Sequence, residues 1–126
     1  MSSQYLLQML CAFGLTILVE ASILLAGLSR IHPWRRRLFA GVWLSACTYP
    51  IVWLTIPAIF PPERDRTLYL AVAETFAPVA EGFLFWWTFD RHPPCTGSQL
   101  ARDMLVILVA NLASFAVGAL LPAGLL

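Results

Sequence analysis

Three glutamates lie inside long apolar stretches of this 126-residue chain. Glu20 interrupts the first stretch, and Glu74 and Glu81 interrupt the third. An acid placed in hydrocarbon costs roughly 2.5 to 3.5 kcal/mol on insertion scales, so each of these groups needs compensation. Glu74 and Glu81 are almost two helical turns apart and therefore occupy nearly the same helical face. Such carboxylates either hold a proton at neutral pH or bind a cation.

The composition places the chain in a membrane. Hydrophobic residues make up 60% of it and charged residues only 12%, with a mean hydropathy of +0.76. Soluble domains carry about 25% charged residues. The composition therefore predicts an integral membrane protein whose main partner is the lipid bilayer. The net charge of +1, without a basic stripe, indicates no nucleic-acid partner.

Four apolar stretches are long enough to cross a bilayer as helices. They predict an all-α, four-helix transmembrane bundle that forms a single domain over residues 1–126. The predicted spans cover about residues 5–28, 38–60, 67–89 and 104–126.

The arginines predict the orientation of this bundle. The chain has eight basic residues, all of them arginine. The first and third links between spans carry six of them, and the second link carries Arg64 and Arg66. Because positive loops stay in the cytoplasm, both termini are expected outside, in a bacterial inner membrane.

The polar residues of different spans fall at similar depths. At about 1.5 Å per residue, Glu20, Glu81 and Asn111 lie roughly 5 Å to the cytoplasmic side of the bilayer centre. Glu74 lies roughly 6 Å to the outer side. These depths predict a polar seam that binds a proton, a cation or a substrate. Its predicted members are Glu20, Glu74, Glu81, Asn111, Tyr49 and Ser114.

Prolines inside the second and third spans free backbone carbonyl groups. Pro57 cannot donate to the carbonyl of Trp53, and Pro78 cannot donate to that of Glu74. A freed carbonyl in lipid needs another partner, so these helices are expected to pack against their neighbours.

Other motifs indicate little catalytic or metal chemistry. His32 and His92 each precede a proline in a predicted link, and we interpret both as interface residues rather than ligands. The three cysteines form no CxxC pair, and neither HExxH nor GxSxG occurs. We therefore predict no catalytic residue, no metal site and no cofactor, although the buried carboxylates are compatible with a bound cation.

Short motifs in all four spans resemble a set of small bacterial four-helix integral membrane proteins of unknown function. They are Val19-Glu20-Ala21, Pro50-Ile51-Val52-Trp53, the pair Glu74 and Glu81, and Asn111-Leu112-Ala113-Ser114. Proteins of that set have His before the proline, where this chain has Tyr49. The size and the glutamate of the first span are similar to those of small multidrug resistance transporters. Neither resemblance implies an activity.

Three functions fit these observations. The first is a proton- or cation-coupled transporter that uses the acids. The second is a structural or accessory subunit of a larger membrane complex, whose acids pair with groups of a partner. The third is a membrane-embedded enzyme, with or without a bound metal. Because four helices enclose little volume, we expect a homo-oligomer or a larger membrane complex.

Overall fold

The computed structural model describes residues 2–91 and 94–120 as an all-α, four-helix bundle. Within those ranges no residue forms a β-strand. Each helix is long and apolar enough to cross a membrane. The helices are α1 (Ser3–Gly27), α2 (Trp34–Ile59), α3 (Arg66–Asp90) and α4 (Gly97–Leu120).

The helices form a closed ring in which each one runs antiparallel to its neighbours. Helix α1 packs against α2 and α4, and α3 packs against the same two helices. Helices α1 and α2 approach closely at Gly41, where an added Cβ would lie 2.5 Å from the Cα of Ala21. Small residues at this crossing therefore allow close contact between the two backbones.

Side chains cap the first turns of α1 and α3. The hydroxyl of Ser2 accepts from the amide of Tyr5 at 3.1 Å, and Asp65 accepts from Leu68 at 3.0 Å. Satisfying these amides matters because the first turn of a helix has no internal acceptor for them.

The start of α4 differs from the predicted span of 104–126. Thr96 and Gln99 form a reciprocal capping box: Thr96 donates its amide to Gln99 at 2.9 Å and accepts from the amide of Gln99 at 3.2 Å. The helix therefore begins at Gly97. Hydropathy placed the start too late because the first turns of α4 are polar. Residues 121–126 lie outside the described part of the chain.

Helix α2 changes its winding around its prolines. Residues Ile51–Thr55 form a π-helical turn, and Pro57 follows within the last α-helical turn. The freed carbonyl of Trp53 accepts a hydrogen bond from the hydroxyl of Tyr5 at 2.7 Å. The carbonyl of Val52 accepts from the hydroxyl of Tyr69 at 3.0 Å. Neighbouring helices α1 and α3 thus satisfy the backbone that the irregular turn exposes.

An apolar core fills the bundle toward the first and third links. Along α3, Phe85 lies between Glu81 and Asp90. The last five residues of α3, Trp86–Asp90, form a second π-helical turn. This core separates two polar regions of the bundle. Its buried residues are Leu24, Leu28, Ala40, Leu44, Phe85, Ile107 and Ala110.

Candidate functional site

A cavity of about 310 Å³ lies among the four helices. All six residues of the predicted polar seam line it, together with threonines, apolar side chains and two further aromatic rings. Arg66, at the exposed first turn of α3, lines the end of the cavity near the second link. The seam residues are Glu20, Glu74, Glu81, Asn111, Tyr49 and Ser114.

Two buried acids lie at the inner end of the cavity, and each is held by its neighbours. Ser45 of α2 donates its hydroxyl to Glu20 of α1 at 2.7 Å. Thr48 of α2 is 2.9 Å from one carboxylate oxygen of Glu81, and the amide of Asn111 on α4 donates to the other. The exposed fraction of the residue is 4% for Glu20 and 2% for Glu81. Four helices thus bring polar groups to the floor of one cavity.

The cavity wall is mixed in character. Glu74 lies half-buried along it, on the same face of α3 as Glu81. Tyr49 packs edge-on against Phe13, with ring centroids 5.1 Å apart, and its ring is 5.8 Å from that of Trp53. This arrangement combines carboxyl groups with aromatic rings, and ionised carboxylates and aromatic faces both attract cations.

Hydroxyl groups continue the polar lining on the side of α1 and α4. Ser114 donates to the hydroxyl of Thr16 at 3.2 Å, which joins these two helices across the cavity wall. Asn111 also donates to the carbonyl of Ile107, one turn earlier on α4, at 3.0 Å. The amide of Asn111 is therefore held in the orientation that presents its hydrogens to Glu81.

A second polar cluster lies on the other side of the apolar core. The Nε2 atom of His32 is 2.8 Å from a carboxylate oxygen of Asp90 and 3.2 Å from one of Asp103. These three residues, the His32 cluster, are almost fully buried. His32 follows α1, Asp90 ends α3, and Asp103 lies in the second turn of α4. The cluster therefore ties together three segments of the chain at one end of the bundle.

Other groups hold this cluster in place. The backbone amide of Ser29 donates to Asp103 at 2.7 Å, and its hydroxyl donates to the same carboxylate at 3.1 Å. Burial alone would lower the pKa of His32, but its hydrogen bonds to Asp103 and Asp90 and their charges raise the pKa above its ordinary value. The surroundings of Nε2 thus favour positive charge.

Two arginines cap the carboxyl end of α1 beside the cluster. Arg37, which is buried, donates to the carbonyls of Leu25 and His32. Arg102 donates to the carbonyl of Gly27 at 2.8 Å. The last carbonyls of a helix carry partial negative charge, so these arginines stabilise the helix end.

Sequence reasoning missed the His32 cluster. We interpreted His32 as an interface residue, but the fold buries it against Phe85, with ring centroids 5.0 Å apart. Its partners are 58 and 71 residues away, so no local spacing connects them. The Thr96–Gln99 capping box is the signal that could have placed Asp103 inside α4. His92 lies outside the described residues.

Fold and site together define a four-helix bundle of membrane-spanning length that encloses an acidic cavity. Comparison with known protein families, with curated proteins and with solved structures finds no match to this chain.

Proposed function

We propose that this chain is a small membrane transporter whose cavity binds a proton or a cation. One observation carries the proposal: Glu20, Glu74 and Glu81 line a single cavity between helices of membrane-spanning length. Buried carboxylates that only stabilise the bundle need no cavity beside them. Carboxylates that exchange a proton or a cation need space and a route to it.

The ends of the cavity differ, as a transport pathway requires. Toward the second link the lining extends to Arg66, which is exposed. Toward the other links the acids meet the apolar core, in which Phe85 and Ile107 are buried. This arrangement supports a state that is open on one side and closed on the other. Transport would require that the apolar core separate and the open end close.

The size of the cavity bears on what it can bind. A cavity of about 310 Å³ has room for several water molecules. That volume is at the lower end of the range for drug-sized ligands. It suits a proton with its waters, a metal ion or a small organic cation.

The proposal includes the setting of the protein. The proposed location is a bacterial inner membrane, and the excess of arginine in the first and third links supports an orientation with both termini outside. The cavity would then open outward in the present state. The small enclosed volume supports a homo-oligomer or a larger membrane complex as the working unit.

Reconstituted vesicles test the proposal directly. Purified protein is inserted into liposomes that contain a pH-sensitive dye, and an outward potassium gradient with valinomycin drives proton entry. We expect faster acidification with the wild-type chain than with empty liposomes, and a loss of that increase in Glu81→Gln. Glu63→Gln removes an exposed acid of the second link and should behave as wild type.

Two results would contradict this function. One is that liposomes with the protein acidify at the same rate as empty liposomes. This result would have to hold with protons as the only permeating ion and also with an added gradient of sodium, potassium or tetramethylammonium. The other is equal activity of Glu81→Gln and wild type. Either result would favour an accessory subunit, for which proteins that co-purify with the chain give independent evidence.

A further inference from the structure

The His32 cluster presents a buried set of metal-ligand atoms that the proposed function does not use. One nitrogen and two carboxylate oxygens, from His32, Asp90 and Asp103, all lie within 4.8 Å of one another. Ligands of a tetrahedral ion at about 2.0 to 2.1 Å are about 3.3 Å apart. The 2.8 and 3.2 Å distances from Nε2 are close to that spacing, so small side-chain shifts would admit an ion.

A second observation indicates that a ligand is needed here. The exposed fraction of Asp90 is 2%, and its Oδ2 atom has no hydrogen-bond partner in the described part of the chain. The other oxygen of the same carboxylate is 2.8 Å from the Nε2 atom of His32. A buried carboxylate oxygen without a partner costs about 1 to 3 kcal/mol, more when charged. An ion bound between these groups would satisfy it.

The charged groups around the His32 cluster also favour a bound cation. Two carboxylates face one imidazole inside the protein, and the guanidinium of Arg36 lies on the other side of the ring, at Nδ1. Arg37 and Arg102 direct their hydrogens to carbonyls of α1 and its loop rather than to the carboxylates. None of these three guanidinium groups therefore neutralises the carboxylates.

We propose that His32, Asp90 and Asp103 bind a divalent transition-metal ion of the Zn²⁺ or Mn²⁺ class. One nitrogen with two carboxylate oxygens leaves a fourth position for water, as in zinc sites with three protein ligands. Ser29 orients Asp103 through two hydrogen bonds, which is how metal-ligating carboxylates are usually held. The site lies across the apolar core from the cavity.

The neighbour at the other ring nitrogen makes a specific test available. The Nδ1 atom of His32 is 3.3 Å from the guanidinium of Arg36, which can only donate, so this contact favours the imidazole that carries its hydrogen on Nε2. Metal binding at Nε2 moves the hydrogen to Nδ1, which then needs an acceptor. Arg36 opposes that change, and Arg36→Gln, whose amide oxygen can accept, should favour it.

Calorimetry on the full-length protein in detergent tests the site. After removal of metal with a chelator, Zn²⁺ and Mn²⁺ are titrated separately into wild type and variants. We expect about one bound ion per chain for at least one of the two metals. Asp90→Asn should lower the affinity at least about tenfold, and Arg36→Gln should raise it. Glu63→Gln, an exposed acid in the second link, is the matched control and should not change it.

Several outcomes would overturn the metal site. These are less than half an equivalent of either metal, unchanged affinity in Asp90→Asn, or lower affinity in Arg36→Gln. Loss of the ion in Glu81→Gln but not in Asp90→Asn would assign it to the cavity instead. If Asp90→Asn proves unstable, Asp90→Glu is the second variant, because it keeps a carboxylate at the site. Metal binding by Asp90→Glu would show that the loss in Asp90→Asn comes from the missing ligand and not from unfolding.

Discussion

The side-chain amide of Asn111 on α4 donates a hydrogen bond to the carboxylate of Glu81 on α3, and Thr48 of α2 contacts the other carboxylate oxygen at 2.9 Å. Glu81 is therefore the point at which three helices meet through polar groups. Because Glu81 also lies at the floor of the cavity, its substitution should affect both the stability of the bundle and the proposed transport.

The first prediction separates those two roles through the choice of substituent. Glu81→Gln keeps an oxygen that can accept from Asn111, and its new amide can donate to the hydroxyl of Thr48. That hydroxyl can in turn donate to the carbonyl of Leu44, which is 3.1 Å away. Glu81→Ala removes the carboxylate acceptor of Asn111 and leaves Thr48 only the Leu44 carbonyl. We expect the alanine variant to be about 1 to 3 kcal/mol less stable than the glutamine variant. Equilibrium unfolding in mixed micelles measures the difference, and equal stabilities would contradict these contacts.

The second prediction concerns the carbonyl that Pro57 frees. Tyr5→Phe removes the hydroxyl that donates to the Trp53 carbonyl at 2.7 Å and should cost about 0.5 to 1.5 kcal/mol. Pro57→Ala supplies a backbone amide in the same region of α2. In the Pro57→Ala background the cost of Tyr5→Phe should therefore be smaller. A double-mutant cycle with zero coupling energy would show that the two groups do not serve the same carbonyl.

The third prediction tests the contact between α1 and α2. Gly41→Ala places a methyl group 2.5 Å from the Cα of Ala21, so the two backbones must separate. We expect a loss of about 1 to 3 kcal/mol, typical of overpacking. Gly14→Ala is the control, because a Cβ there meets no atom within 4 Å. It should leave the free energy of unfolding unchanged or raise it, since alanine favours helix. Equal effects of the two changes would contradict the close crossing.

The fourth prediction concerns orientation. With Cys11, Cys47 and Cys95 replaced by serine, single cysteines are introduced at Ile31 in the first loop or Glu63 in the second; both positions are exposed. Neither change removes an arginine. A membrane-impermeant maleimide should label Glu63→Cys in spheroplasts and Ile31→Cys only after lysis. The reverse pattern would place the first and third links outside.

The hydropathy of the sequence was enough to predict four helices, because an apolar stretch of about 20 residues has few stable alternatives in lipid. Periodicity and depth were also enough to select Glu20, Glu81 and Asn111 as residues of one region. In antiparallel helices that all cross the same layer, distance along each helix translates into depth, and the structure brings these three residues to one cavity.

What the sequence could not determine depends on contacts between helix ends. The polar first turns of α4 lowered the local hydropathy, so Asp103 was assigned to a link although it lies in the helix. In the sequence, His32 beside Pro33 has the pattern of an interface residue. In the structure it contacts Asp90 at the end of α3 and Asp103 near the start of α4. Hydropathy reports the preference of a residue for lipid or water, whereas burial of a charged group depends on partners that are distant in the chain. Only the tertiary structure brings those partners together.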